Sequence, residues 1–577
     1  MSVPRSFVSA ICAVVALTSL TLLPFAASPS AANADEPLRQ TIDRLLGDSW
    51  QREKLTPTPL SSDAEFLRRV SLDLLGVIPS IDETTAFLND AAPNKRETVI
   101  QKMMDDPRFA RHQADVWDMI LFGRNPPGYD TDKRYGFQNW MREQFAQNIP
   151  YDVWARQILK ADGNTVEQGA GTFFLQYRNQ PEDASEAVTQ TFLGIQLQCA
   201  RCHDHPFEKW TQTDFYGLAA FLSRLEVVTV GKKDDLTMYA IAEKSTGDLL
   251  FTGPAAKQTP GKKGEPIKPK FLQGDALAEP PLPEGFKEVK FETNKPPQKP
   301  IFSRKDQLAD WITDPARNPF FARAIANRVW AQFFGRGLVH PVDNMSPSNV
   351  PTNPELLDKL TADLVARKFD LKGYITELCN SRAYQLSGRG GSSEAFPQFY
   401  QHARVRPLSA EELIESWRVA TGFERAEEAA AKKKLAEAAA KGADDKKEEK
   451  KKDSDRKALE DRYRPLGSGY LLRFFGNPNT GTGDFQGGLH EHLYLNNGPV
   501  GSVVATGAGG LLSELTATDK TVEQRVERMF LAVLNRQPAS DETERFAAYV
   551  QGDKDPTERW REALWVLMTC SEFRFNH

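Results

Sequence analysis

Phe66-Leu-Arg-Arg-Val-Ser-Leu-Asp-Leu-Leu-Gly76 reads as one helix and sets the class of the whole chain. Its apolar residues Phe66, Val70, Leu72, Leu74 and Leu75 follow helical spacing, and Gly76 with Pro79 marks the stop. Arg69 and Asp73 stand four apart, where opposite charges on a helix can pair. Ser80-Ile-Asp-Glu83 then has the form of a capping box opening a short helix through Phe87 and Leu88.

The same texture extends outward. Helices are expected over 99–104, 110–122, 137–145 and 153–159, with Trp117, Trp140 and Trp154 as core anchors. Val188, Phe192 and Ile195 predict a helix from 183 to 202, and Thr211-Gln-Thr-Asp214 reopens helix for Phe215, Leu218 and Phe221. Between 225 and 300 the pattern changes to short β-prone runs at 227–230, 236–242, 249–251, 267–272 and 289–291 among Pro, Gly and Lys. Helical periodicity returns at Arg304, runs through Phe320, Ile325, Val329, Trp330 and Phe333, and stops at Gly335 and Gly337. Helices at 354–365 and 371–379 follow, then the box Ser409-Ala-Glu-Glu412, the box Thr521-Val-Glu-Gln524 and a last helix over 560–568. Residues 424–462 are almost wholly Ala, Lys, Glu and Asp without an apolar stripe, so they read as a solvated or disordered insertion. The glycine-rich run 467–488 matches no phosphate loop.

The expected fold is therefore mainly α. Its multi-helix N-terminal and C-terminal halves are joined by a small β-rich, Pro/Lys-rich segment. The expected organisation is a signal peptide at 1–34, a helical domain at 35–224, a linker or minor β subdomain at 225–302, and a helical domain at 303–577 carrying the insertion 424–462. Arg5, an apolar run from Phe7 to Phe25 and the small-residue site Ala32-Asn33-Ala34 give the signal-peptide pattern, with a retained anchor as the alternative. The mature chain is expected to be exported, periplasmic or extracellular, with no transmembrane span. The full chain carries a net charge of -5 at pH 7, and loss of 1–34 with Arg5 makes it -6, which gives no footing for nucleic acid. Cys12 lies in the signal segment, which leaves Cys199, Cys202, Cys379 and Cys570, too few for a disulfide scaffold. Cys379 and Cys570 end apolar periodic stretches and are expected to pack.

Chemistry concentrates in Cys199-Ala-Arg-Cys202-His203-Asp-His205. Two thiols three apart followed by an imidazole form the haem c attachment pattern: the thiols bond the vinyl groups and His203 becomes the axial iron ligand. On a continuous helix, Cys199, Cys202 and His203 fall at i, i+3 and i+4 and face one way. Three other readings compete: a buried or disulfide-bonded pair, a zinc site using Cys199, Cys202, His205 and a fourth group, and a thioredoxin-like pair, which lacks its βαβ context. A sixth iron ligand has to come from elsewhere, because His205 is too close to His203. Met103, Met104, Met119, Met141, Met529 and Met568 sit on apolar patterns and are expected in the core. Met238 and Met345 do not, and Met345 is the methionine candidate beside His112, His340, His490 and His492. Histidine or water is the expected sixth ligand.

These motifs carry a resemblance. Phe66 to Gly76, Cys199 to His205 and Asp214-Phe-Tyr216 resemble the planctomycete cytochrome-type domain of unknown function fifteen-forty-nine. Asn327-Arg-Val-Trp330, Phe333-Phe-Gly-Arg-Gly-Leu-Val339, Asn380-Ser-Arg-Ala-Tyr384 and Arg525-Val-Glu-Arg528 resemble its usual partner, the planctomycete-specific domain fifteen-fifty-three. The resemblance implies an exported, mainly helical protein and supplies no catalytic residues. Two functions follow as expectations: a monohaem c-type electron-transfer or haem protein with a periplasmic redox partner, or a secreted structural protein whose CxxCHxH forms a disulfide or zinc site. No GxSxG or HExxH motif points to a hydrolase.

Overall fold

All four boxes quoted above open helices: Ser80, Thr211, Ser409 and Thr521 each accept from the backbone N–H three residues on, and Glu83, Asp214, Glu412 and Gln524 reach back. The computed structural model describes residues 36–123, 134–233, 236–251, 264–292, 294–295, 297–390, 396–423, 425–426, 493, 497, 509–517, 519–552 and 555–577. The segment expected to be a signal peptide, nearly all of the charged insertion, the run 467–488, His490 and His492 lie outside them.

Among the described residues the chain is mainly helical, as expected. The N-terminal half runs α1 (Leu38–Arg52), α2 (Asp63–Leu75), α3 (Ile81–Asn89), α4 (Lys95–Met104), α5 (Pro107–Phe122), α6 (Asn139–Ala146), α7 (Tyr151–Leu159), α8 (Thr172–Leu175), α9 (Pro181–Val188) and α10 (Gln212–Ala219). The C-terminal half runs α11 (Arg304–Ile312), α12 (Pro319–Phe334), α13 (Pro354–Ala366), α14 (Leu371–Asn380), α15 (Ala410–Thr421), α16 (Leu511–Thr516), α17 (Val522–Val533), α18 (Ser540–Val550), α19 (Pro556–Thr569) and α20 (Ser571–Arg574). No described helix is long and apolar enough to cross a membrane.

The β-prone region yields a hairpin, β2 (Leu225–Lys233) with β3 (Leu236–Glu243), bulged between Thr229 and Gly231. Its third strand, β1 (Gly163–Asn164), comes from the helical half, where no strand is expected, and pairs with Ile241 and Ala240. Short β4 (Leu250–Phe251) pairs with β5 (Glu265–Pro266). The run 289–291 forms no strand, and 267–272 gives only an isolated bridge between Lys270 and Ala276. A third pairing joins β6 (Arg406–Pro407) to β7 (Phe575–Asn576).

Two apolar cores fill the unit from Leu38 to His577, and α2 lies between them. Phe66, Leu67, Val70, Leu74 and Leu75 enter the larger core, which takes helices from both halves. Leu72, with Ile78 and Ile81, enters the smaller core of α15 to α20. A helix covered on all sides has no solvent for its charges, and Glu65, Arg68, Arg69 and Asp73 are all buried. The expected Arg69–Asp73 pair does not form. Arg69 instead bonds Glu65 one turn back at 2.7 Å, the favoured order of acid before base, and donates to the carbonyls of Tyr384, Leu386 and His577. Asp73 accepts from Arg406, Tyr384 Oη and Asn576 Nδ2. Long-range partners take Asp73 and share Arg69 with Glu65 because a buried guanidinium or carboxylate is held by several hydrogen-bonding groups at once.

Two glycines set close approaches. Gly76 ends α2 at φ 66°, and a Cβ there would lie 2.3 Å from His112 Nδ1. A Cβ on Gly337 would lie 2.3 Å from the Val339 carbonyl oxygen. That crowding exists because Asn327, fully buried on α12, both donates to the Val339 carbonyl and accepts from its N–H, at 2.9 Å each.

Candidate functional site

The expected helix from 183 to 202 is broken. After α9, Thr189–Leu193 forms a single π-helical turn, and Gly194 at φ 65° ends it. The chain then makes a 3-10 turn, Gln198–Arg201, that carries Cys199. The break is held from the other half of the chain. Met345 N–H donates to the Gly194 carbonyl at 2.7 Å, and buried Asp343 accepts from the side-chain amides of Gln190 and Gln196. A continuous helix would have to give up these bonds, and at Gly194 as it stands a Cβ would lie 2.9 Å from Met345 Cγ.

The shorter turn still gathers the motif. The Cys199 carbonyl accepts from the N–H of both Cys202 and His203 at 3.4 Å, so the two thiols and the imidazole share one turn. Ala200 is fully buried and anchors it, whereas Cys199, Cys202 and His203 are exposed and both thiols are free. His203 Nδ1 lies 2.8 Å from the Asp204 carbonyl. A carbonyl can only accept, so this contact puts the ring proton on Nδ1 and leaves the Nε2 lone pair available, the arrangement by which metal-binding histidines fix their tautomer.

The rest of the motif wraps the start of α10. Asp204 accepts from the Gln212 N–H at 2.9 Å, and Gln212 donates to the Arg201 carbonyl at 3.0 Å. His205 N–H donates to the carbonyl of buried Trp210 at 2.8 Å, and His205 Nδ1 accepts from the Phe207 N–H at 3.3 Å. Arg201 reaches Asp183 at 2.6 Å and Glu186 at 3.4 Å. These carboxylates hold its guanidinium pKa above the usual value against the cost of burial, while burial raises that of Glu186. Phe207, at 84% exposure, projects from the loop.

The PSCyt2 family, described as a protein of unknown function (DUF1549), matches residues 41–227. The PSD1 family, described as a protein of unknown function (DUF1553), matches residues 304–550. The chain joins a PSCyt2 segment to a PSD1 segment. No curated protein and no solved structure matches it. The CxxCHxH turn thus belongs to the PSCyt2 segment, and the loop that pins its approach, with Asp343 and Met345, to the PSD1 segment.

The other sequence candidates fall in different places. Met345 is half-buried in the pinning loop, packed against Gly194, and His340 begins that loop. His112 lies elsewhere, buried on α5 against Gly76, and burial pushes its pKa down to about 4 despite the nearby Glu412 carboxylate. Met103, Met104, Met119, Met141, Met529 and Met568 are buried as expected. Cys379 is buried, and Cys570 is half-buried with its thiol donating to the Leu567 carbonyl. For zinc, the described residues hold no group of three His, Cys, Asp or Glu side chains placed around a common point. Reading the sequence alone missed Asp343, Gln190, Gln196 and Asp204. Only Asp204 left a local sign, an acid eight residues before the N–H it caps.

Proposed function

We propose that Cys199 and Cys202 hold one haem c through thioethers, with His203 Nε2 as the axial iron ligand, making the chain an exported monohaem protein. The observation that carries this reading is the His203 Nδ1 contact with the Asp204 carbonyl, which leaves the Nε2 lone pair available on the turn that exposes both thiols. Each thiol adds across one vinyl double bond: a C–S bond forms, the sulfur-borne hydrogen goes to the other vinyl carbon, and nothing leaves. Bound haem supplies one-electron transfer, or ligand binding if its far side stays open. The chain's residues present the thiols, fix the imidazole tautomer and brace the turn. Histidine or water fills the sixth position, with Met345 the methionine rival.

The test is periplasmic expression with a haem-attachment system, followed by denaturation, mass measurement and haem staining. One haem retained on the denatured chain is the expected result. An apo mass without stain overturns the reading. In that case a mass two hydrogens lighter marks a Cys199–Cys202 disulfide, and stoichiometric zinc before denaturation marks the metal alternative. In the haem-loaded protein, carbon monoxide after reduction reports an open site, and a methionine-to-iron band lost in Met345→Ala would replace histidine or water with Met345.

A further inference from the structure

Residues 228–303 lie outside both family matches, yet part of that stretch builds a wall. The turn at 271–278 is tied down where Lys270 N–H donates to the Gly217 carbonyl at 2.9 Å, and it faces the end of α11 and the start of α12. Between them lies a groove of about 460 Å³, within the size range of small-molecule sites. Its walls are aromatic. Phe271 and Trp311 lie 5.4 Å apart between ring centroids at 31°, and Phe320 is backed edge-on by Trp210 at 6.4 Å. Trp210 is also the residue whose carbonyl anchors His205.

Two charged side chains line the groove, Arg317 and Asp275, both exposed. Arg317 stands with its guanidinium 5.6 Å from the Phe271 ring centroid, and among the described residues no carboxylate pairs with it. Asp275 sits on the tip of the turn. A guanidinium held over an aromatic face with its donors unspent suits a planar anion, which can accept two parallel hydrogen bonds while its ring stacks.

We propose that this groove binds a planar aromatic carboxylate, its ring against the wall of Phe271, Trp311 and Phe320 and its carboxylate at Arg317. The proposal does not depend on haem, so either can fail alone. The test titrates the full chain with 2-naphthoate by calorimetry, beside 2-naphthalenemethanol and a naphthylmethylammonium salt. Saturable one-to-one binding is expected, weakened about tenfold by Arg317→Gln and by the neutral analogue. Ala276→Trp, which fills the groove from an exposed position, should abolish binding, and Asp275→Asn should leave it unchanged or tighter. No saturable binding up to about 1 mM overturns the proposal. Equal affinity for the neutral analogue, or tighter binding of the cation with weakening by Asp275→Asn, overturns the assignment of the ligand as an anion.

Discussion

Helix α2 and the Cys199–His205 turn both concentrate groups capable of chemistry, and they differ in what those groups face. On α2, Glu65, Arg69 and Asp73 are buried and bonded to residues more than 300 positions away, and Arg69 also bonds Glu65. On the turn, the thiols and the imidazole are exposed, and His203 bonds to the carbonyls of Asp204 and Cys199 in its own neighbourhood. A charge inside a protein is held there by partners, and its removal is felt as lost stability. A reactive group left at the surface with its lone pair free costs the fold little and stays available to something else. The contrast separates structural polar residues from functional ones, and substitutions at the two places should give opposite signatures.

The largest effect is expected at Arg69. Arg69→Ala leaves buried Glu65 without its cation and the Tyr384 and Leu386 carbonyls without a donor, a loss of about 3–5 kcal/mol in denaturant unfolding. Arg69→Lys should recover only part of it, because one ammonium cannot span acceptors that a planar guanidinium reaches on both sides. A loss under about 1 kcal/mol for Arg69→Ala would erase the distinction drawn above.

A second break point lies where α5 meets α15. Burial pushes the pKa of His112 down to about 4, so it is neutral when folded; its contribution to stability is present above the unfolded value of 6.5 and lost as pH falls toward 4. Asp115, one turn on, has its pKa pushed up to about 7 by burial and by the Glu411 and Asp118 carboxylates against the pull of Arg111 and Arg142. Its contribution is present below pH 3.8 and lost as pH rises toward 7. Between pH 4 and 6.5 the two oppose each other. Relative to the parent, stability in His112→Gln should fall as pH rises, by about 1 kcal/mol per pH unit, and in Asp115→Asn it should climb with pH. Unfolding curves at pH 4.5, 5.5 and 6.5 check the signs; parallel profiles for both variants would mean that neither group titrates in this window.

What the sequence made legible was local. Capping boxes, the stops at Gly76 and Gly335, the buried methionines and the anchors Trp117 and Trp154 depend on residues within a turn or two of each other, and they appear where expected, while Trp140 packs against the core only partly buried. The pairing of Arg69 was misread because spacing offers Asp73 and hides Tyr384, Leu386 and His577, which only the fold brings near. The helix through Cys202 was misread for the same reason: Val188, Phe192 and Ile195 keep helical period, but Asp343 and Met345 hold the chain in a different path. The site's residue types could be read in advance, and its geometry could not, because that geometry is imposed from the PSD1 segment.

The smallest effect is the most discriminating, because it compares one residue type in two settings. Cys379 is fully buried on α14, where burial pushes its thiol pKa well up and leaves it inert. Cys379→Ala removes a packed sulfur and should cost about 1 kcal/mol. Cys199 and Cys202 stand on an exposed turn that is held by backbone bonds from the Cys199 carbonyl and by buried Ala200, none of which needs a sulfur. Cys199→Ala combined with Cys202→Ala should therefore change the stability of the apoprotein by less than about 0.5 kcal/mol while removing both thiols that the proposed haem attachment needs. A loss of 2 kcal/mol or more for the double variant, present only under oxidising conditions, would instead identify the pair as a structural disulfide. The exposed thiols would then do the same kind of work as the buried charges of α2, and the line between the two regions would have to be redrawn.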